Sequence, residues 1–156
     1  MSDDDECMAC DLARGNIELP GGLIHRTTHW LVEHCIGPLG VGTLIVKPER
    51  HVMHVADLSD EEADELGALL RTTSAVVTAL TNPAQVYVCL WSHSPCHIHF
   101  VVQPVDDELM DRVAAHGPKL QVAMFESDPA PDRAAVEAFA VAARAEFAAS
   151  SARLRA

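Results

Sequence analysis

The sequence predicts an α+β fold with an antiparallel sheet, a long helix packed against it and helices at the C-terminus. Three observations favour this class. Short apolar, β-branched segments stand both before and after one long amphipathic segment. No strand–helix–strand unit repeats along the chain, which disfavours a parallel sheet. With 156 residues, 49% of them hydrophobic and 22% charged, the chain has the size and composition of one globular domain.

The first two strands are expected to form a hairpin. Residues 30–33 (WLVE) and 43–47 (TLIVK) are rich in apolar and β-branched side chains, and Pro48 stops the second segment. Between them the stretch IGPLGVG contains three glycines and a proline, a composition typical of a turn. We therefore expect these two strands to pair antiparallel.

A long helix is predicted over residues 60–80. Ser59 and Glu62 stand at the N-cap and N3 positions of a capping box. Apolar residues then recur at helical spacing until the sequence TNP ends the pattern. Two further strands are predicted after this helix, at residues 85–90 (QVYVCL) and 97–103 (HIHFVVQ).

The rest of the chain, about residues 106–156, is predicted to be a C-terminal extension. Residues 106–115 fit a short helix, and the apolar run at residues 120–125 fits a short strand. Residues 132–149 are rich in alanine and carry one apolar face, so they are expected to form the last helix.

Charge and composition exclude several classes of function. The chain has 23 acidic and 11 basic residues and a formal charge of -12. Because Lys and Arg supply most of the affinity for phosphate backbones, no nucleic acid polymer is an expected partner. No apolar run is long enough to cross a bilayer, so no membrane partner is expected.

The N-terminus and the cysteines indicate a cellular location. MSDDDE is acidic, unlike a secretory signal, and an odd number of cysteines suits a reducing cytoplasm better than a disulfide framework. We therefore expect a cytoplasmic protein, with residues 1–6 as a disordered acidic tail and residues 7–156 as a single domain.

Four residues are candidate metal ligands. Cys7 and Cys10 form a CxxC pair, whose two thiolates can face one ion from a tight turn. Two buried cysteines or a redox pair are the alternatives, although a redox pair would follow a strand and the acidic residues before Cys7 are not expected to form one. A closed tetrahedral site needs two more ligands. The candidates are His51, just after the second strand, and His97, at the start of the last strand.

A histidine pair stands on that last predicted strand. His97 and His99 are separated by one residue, so in a strand both side chains point to the same face. Val101 and Gln103 continue this face, whereas the alternate positions face the core. Two solvent-facing histidines explain the spacing as well as a functional pair does, so the spacing alone does not separate these interpretations.

Taken together, these motifs resemble the histidine-triad (HIT) superfamily over roughly residues 7–105. The elements run CMAC, a hairpin with Pro38, PERH, the capped helix and HIHFVVQP, which is their order in the zinc-containing branches. The resemblance implies a HIT-like sheet, and a hydrolase or nucleotidyl transferase acting on a small nucleotide or phosphate ester. It also implies a homodimer with the long helix and a sheet edge at the two-fold axis.

The same resemblance implies a role for each of five residues. A structural zinc ion is expected on four of them, Cys7, Cys10, His51 and His97. His99, the middle histidine of the motif, is expected to attack a phosphorus atom and carry a nucleotidyl group. The product of this first step would be a covalent nucleotidyl-histidine.

Substrate contacts are also implied by the resemblance. Ser94 stands where a serine contacts phosphate in some members, and Ser92 and His93 in the same loop are further candidates. Val101 replaces the third histidine of the triad, and Gln103 is a candidate to take over part of its role.

Two departures from the family pattern support a second hypothesis. Val101 removes an imidazole that contacts phosphate, and Cys35 replaces the Asp or Asn that often holds the ribose hydroxyls. The alternative to an enzyme is therefore a non-catalytic HIT-like module that binds a nucleotide or a phosphate ligand.

Overall fold

One five-stranded sheet organises the chain. The structure, a computed structural model, describes residues 7–91 and 97–153, with side chains as far as residue 150. The strands are β1 (His25–Arg26), β2 (Trp30–His34), β3 (Leu44–Pro48), β4 (Gln85–Cys89) and β5 (Phe100–Val105). They lie in the order β1-β2-β3-β5-β4, and each neighbouring pair is antiparallel.

In the described residues, five α-helices accompany the sheet, beside one 3-10 turn at Val55–Asp57. They are α1 (Met8–Arg14), α2 (Asp60–Thr81), α3 (Asp107–Val113), α4 (Pro118–Ser127) and α5 (Arg133–Arg153). The predicted α+β class, with a long helix and C-terminal helices around an antiparallel sheet, is confirmed. None of the helices in the described part of the chain has the length and apolar character needed to cross a membrane.

The predicted hairpin and long helix are both confirmed. Strands β2 and β3 pair with Trp30 opposite Pro48 and His34 opposite Leu44. Helix α2 begins at the capping box, in which the Glu62 amide donates to Ser59 Oγ and the Ser59 amide donates to Glu62 Oε2. It ends where Asn82 adopts the left-handed conformation.

Both faces of the sheet carry apolar clusters, because alternate residues of β3, β4 and β5 enter different clusters. On one face, Val46 and Val102 are fully buried beneath α2 and α5. On the opposite face, Val101 packs in a cluster that includes Leu120 and Met124 of α4. The C-terminal extension therefore covers part of the sheet face that holds Val101.

Two expectations about secondary structure are wrong. Residues 120–125, predicted as a strand, belong to α4, because Pro118 opens a helix in which Leu120 and Met124 point to the same buried side. The strand predicted over 97–103 begins only at Phe100. The amide of Ile98 instead donates to the carbonyl of Val52, which lies outside the strands.

Candidate functional site

The four predicted metal ligands meet at one point. One ligand atom from each of Cys7, Cys10, His51 and His97 lies within 4.8 Å of the others. Cys7 is the N-cap residue of α1 and Cys10 lies in its first turn. His51 follows the end of β3, and His97 precedes β5. Three of the four residues are buried and His51 is half-buried, so the cluster is largely shielded from solvent.

The geometry of these atoms fits a tetrahedral ion with two sulfur and two nitrogen ligands. His97 Nδ1 lies 3.5 Å from Cys7 Sγ and 3.4 Å from Cys10 Sγ, and His51 Nδ1 lies 3.3 Å from Cys10 Sγ. With Zn–S and Zn–N bonds of ordinary length, the edge of such a tetrahedron is about 3.6 Å. One lone pair on Nδ1 cannot accept two thiol hydrogens, whereas one shared cation accounts for both contacts.

The state of His97 suits a metal ligand. Its Nε2 lies 3.0 Å from the carbonyl oxygen of Pro48, so Nε2 carries the hydrogen and Nδ1 keeps its lone pair towards the sulfurs. Burial lowers the pKa of His97 to about 4, so the ring is neutral near pH 7. A neutral, oriented imidazole is the form that binds a metal ion.

His99 is oriented by the backbone of the same segment. Its Nδ1 lies 3.0 Å from the carbonyl oxygen of His97. A carbonyl only accepts, so Nδ1 carries the hydrogen and Nε2 carries the lone pair. The ring is half-buried. His99 therefore has a fixed tautomer with its lone pair on Nε2, two residues along the chain from the candidate ligand His97.

Gln103 is held inside the protein. Its side chain is fully buried, its Nε2 donates to the Leu39 carbonyl at 3.3 Å, and its Oε1 accepts from Gln121 Nε2 at 2.9 Å. Gln121 Oε1 in turn accepts from Trp91 Nε1 at 2.7 Å. Gln103 Nε2 also donates to Met124 Sδ at 3.2 Å, so both amide hydrogens are in use and a phosphate contact would have to replace one of these two bonds.

The two departures from the family pattern are both buried. Val101 is 6% exposed and Cys35 is 8% exposed, and they share one apolar cluster with α4. Burial raises the pKa of the Cys35 thiol to about 11, and its sulfur accepts from the Gly37 amide at 3.3 Å. Cys35 is thus a neutral core residue. Ser92, His93 and Ser94, the other predicted substrate contacts, lie outside the described residues.

Sequence reasoning missed a charged pair near this site. Lys47 Nζ lies 2.7 Å from Glu33 Oε1, and both side chains are buried. Lys47 follows Val46, the last residue of β3 that pairs with β5, where Val46 lies opposite Phe100. The hairpin register signals only that the two are neighbours: Glu33 lies opposite Ile45, two residues before Lys47, so the two charges share one face of the sheet.

Comparison with solved structures identifies the fold. A zinc-bound histidine-triad family protein from Mycobacterium smegmatis superposes with a TM-score of 0.68 at 18% identity, covering 96% of this chain and 99% of that one. A hypothetical histidine-triad nucleotide-binding protein from Sulfolobus tokodaii gives a TM-score of 0.70 at 12% identity, covering 92% and 93%. A hypothetical protein from Leishmania major gives 0.58 at 28% identity, covering 67% and 76%. No protein-family model and no curated protein matches the sequence.

Proposed function

From the histidine-triad fold that this chain has, we propose that it is a zinc-containing hydrolase or nucleotidyl transferase that cleaves a phosphoanhydride or phosphoramidate bond of a nucleotide. The observation that carries this proposal is the state of His99. Its Nδ1–H bond to the His97 carbonyl leaves Nε2 as the atom that can attack phosphorus. The fold that this chain shares with a zinc-bound and a nucleotide-binding histidine-triad protein also supports the proposal.

The reaction has two balanced displacements. In the first, the lone pair of His99 Nε2 forms a bond to the α-phosphorus, and the bond from phosphorus to the leaving group breaks with its electron pair; a leaving phosphate departs as its anion, and a leaving nitrogen takes a proton from solvent and departs as the amine. In the second, water or another acceptor attacks phosphorus, and the phosphorus–nitrogen bond returns its electrons to Nε2. The attacking water loses one proton to solvent. The Nδ1–H bond to the His97 carbonyl holds the ring in place through both steps.

The metal site has a structural task in this scheme. A zinc ion bound by four protein ligands leaves no open position, so it would cross-link α1 to the ends of β3 and β5. Cys7, Cys10, His51 and His97 would hold it. Because His97 supplies the carbonyl that orients His99, fixing His97 also fixes the nucleophile.

Phosphate contacts are proposed for residues of the same region. Ser94 is assigned to the phosphate, with Ser92 and His93 as neighbouring substrate contacts. Gln103 can contact phosphate only through its Nε2 hydrogens, so its bond to the Leu39 carbonyl or to Met124 Sδ must be exchanged for a bond to substrate.

Product analysis tests the proposal. The purified protein is incubated with a dinucleoside polyphosphate and, separately, with a nucleoside phosphoramidate, and the mixtures are followed by chromatography. We expect a nucleoside monophosphate from at least one of the two classes. Failure of both substrates at enzyme concentrations that allow single turnover would contradict the proposal.

A non-catalytic binding module is the second candidate, and the burial of Val101 and Cys35 favours it. Neither side chain offers phosphate or ribose the polar group that the family pattern supplies there, and both are packed against α4. This candidate predicts that a nucleotide binds, measured by calorimetry, and is recovered unchanged. Product formation that is lost in His99→Ala would exclude it.

We also propose a homodimer. Strand β4 is the last strand in the sheet order, and Val88 and Trp91 on and beside it are 44% and 56% exposed. A second copy that pairs along this edge would cover these apolar side chains and the open backbone groups. Light scattering at micromolar concentration should therefore give twice the chain mass of 16.8 kDa. A mass equal to that of one chain would refute the dimer.

A further inference from the structure

A buried ion pair stands close to the metal cluster. Lys47 is 1% exposed and Glu33 is 3% exposed, and Lys47 Nζ lies 2.7 Å from Glu33 Oε1. Taking two charges out of water is costly, and apolar residues of similar size are often no less stable in such positions. A contribution to general stability therefore does not explain why Lys47 and Glu33 are buried here.

The second contact of the ammonium group indicates a different role. Lys47 Nζ also donates to the carbonyl oxygen of Ala9 at 2.9 Å. Ala9 lies between Cys7 and Cys10 in the first turn of α1. The lysine therefore connects strand β3 to the backbone of the CxxC turn. An apolar side chain at position 47 has no donor with which to make this bond.

The end of β3 organises the histidine half of the cluster as well. The carbonyl of Pro48, the residue after Lys47, accepts the bond from His97 Nε2 at 3.0 Å. His51 follows three residues later. One short segment of chain thus contacts the CxxC turn through the Lys47 side chain, contacts His97 through the Pro48 carbonyl, and leads directly to His51.

We propose that Lys47, oriented by Glu33, is a positioning residue that fixes the Cys7–Cys10 turn against the histidine ligands and so slows the loss of the metal ion. This inference rests on the zinc site of the proposed function. Glu33 has two tasks: it balances the lysine charge and, from the adjacent strand β2, aims the ammonium group at the Ala9 carbonyl.

Metal release separates positioning from general stability. The variants are Lys47→Met, which keeps a long stem without a donor, and the double variant Lys47→Met/Glu33→Leu, which removes both charges. Arg112→Met is the matched control, because it breaks an exposed ion pair with Asp128 that joins α3 to the end of α4. Each protein is loaded with zinc, and transfer of zinc to a chelating dye is timed at 25 °C. The melting temperature of each zinc-loaded protein is also measured.

We expect both Lys47 variants to release zinc at least ten times faster than the parent, and Arg112→Met to match the parent. The double variant should recover much of the melting temperature lost in Lys47→Met, since it leaves no unpaired buried charge. Fast zinc release together with a recovered melting temperature in the double variant is the result expected if Lys47 positions the metal ligands. Release at the parent rate in the double variant would overturn the inference while leaving the zinc site intact. A parent protein that takes up no zinc would overturn the zinc site and this inference together.

Discussion

Cys10→Ala is expected to lose the metal ion and a large part of the stability of the fold. Cys10 Sγ lies within 3.4 Å of Nδ1 of both candidate histidine ligands, so its removal opens the centre of the cluster. Structural zinc contributes apparent free energies of ~10–16 kcal/mol in small zinc peptides. This chain also has two apolar clusters that remain without the metal. A loss of ~5 kcal/mol would lower the melting temperature by roughly 10–20 °C.

The matched control is Cys89→Ala, which truncates a half-buried cysteine of β4 that is not among the four clustered residues. Elemental analysis and calorimetry are run on the parent and both variants. Zinc should be near one equivalent per chain in the parent and Cys89→Ala, and near zero in Cys10→Ala. The zinc proposal fails if the native protein contains no metal and its melting temperature does not respond to a chelator.

His99→Ala is expected to abolish turnover with almost no change in stability. The ring is half-buried, and its one backbone bond to the His97 carbonyl ties it to a residue two positions away. Loss of a covalent nucleophile removes the reaction path itself, so the single-turnover rate should fall by ~10³ or more. Zinc content and melting temperature should stay near those of the parent.

Two other histidine variants serve as controls for this result. His116→Ala changes an exposed histidine between α3 and α4 and should turn over like the parent. His97→Ala should reduce both stability and rate, because His97 is buried within the metal cluster and its backbone orients His99. If His99→Ala cleaves a substrate at the parent rate, the assigned mechanism is wrong.

The elements that sequence reasoning identified are those with local signals. The capping box, the helical spacing and the glycine-rich turn each act within a few residues, and they gave α2 and the hairpin nearly to the residue. The candidate metal ligands come from distant segments; their residue types nominated them, and the ordered motifs of the family resemblance supported grouping them into one site. The structure then brings Cys7, Cys10, His51 and His97 together.

The remaining features depend on tertiary packing. Residues 120–125 form a short apolar run that fits a strand or a helix. In the structure they form helix α4, because a helix allows both Leu120 and Met124 to pack against the sheet. The burial of Lys47 depends on α1 folding over β3, which no local pattern reveals. For the same reason, the covering of Val101 and Cys35 by α4 became visible only in three dimensions.

The most direct test of the central claim is to locate the covalent intermediate. The parent protein is mixed with a cleavable nucleotide substrate, quenched without acid during the first turnover, digested and mapped by mass spectrometry. We expect one nucleotidyl adduct, on the peptide that contains His99 and at that residue, and no adduct in His99→Ala. A substrate that is consumed with no adduct on His99, or with an adduct on another residue, would contradict the account.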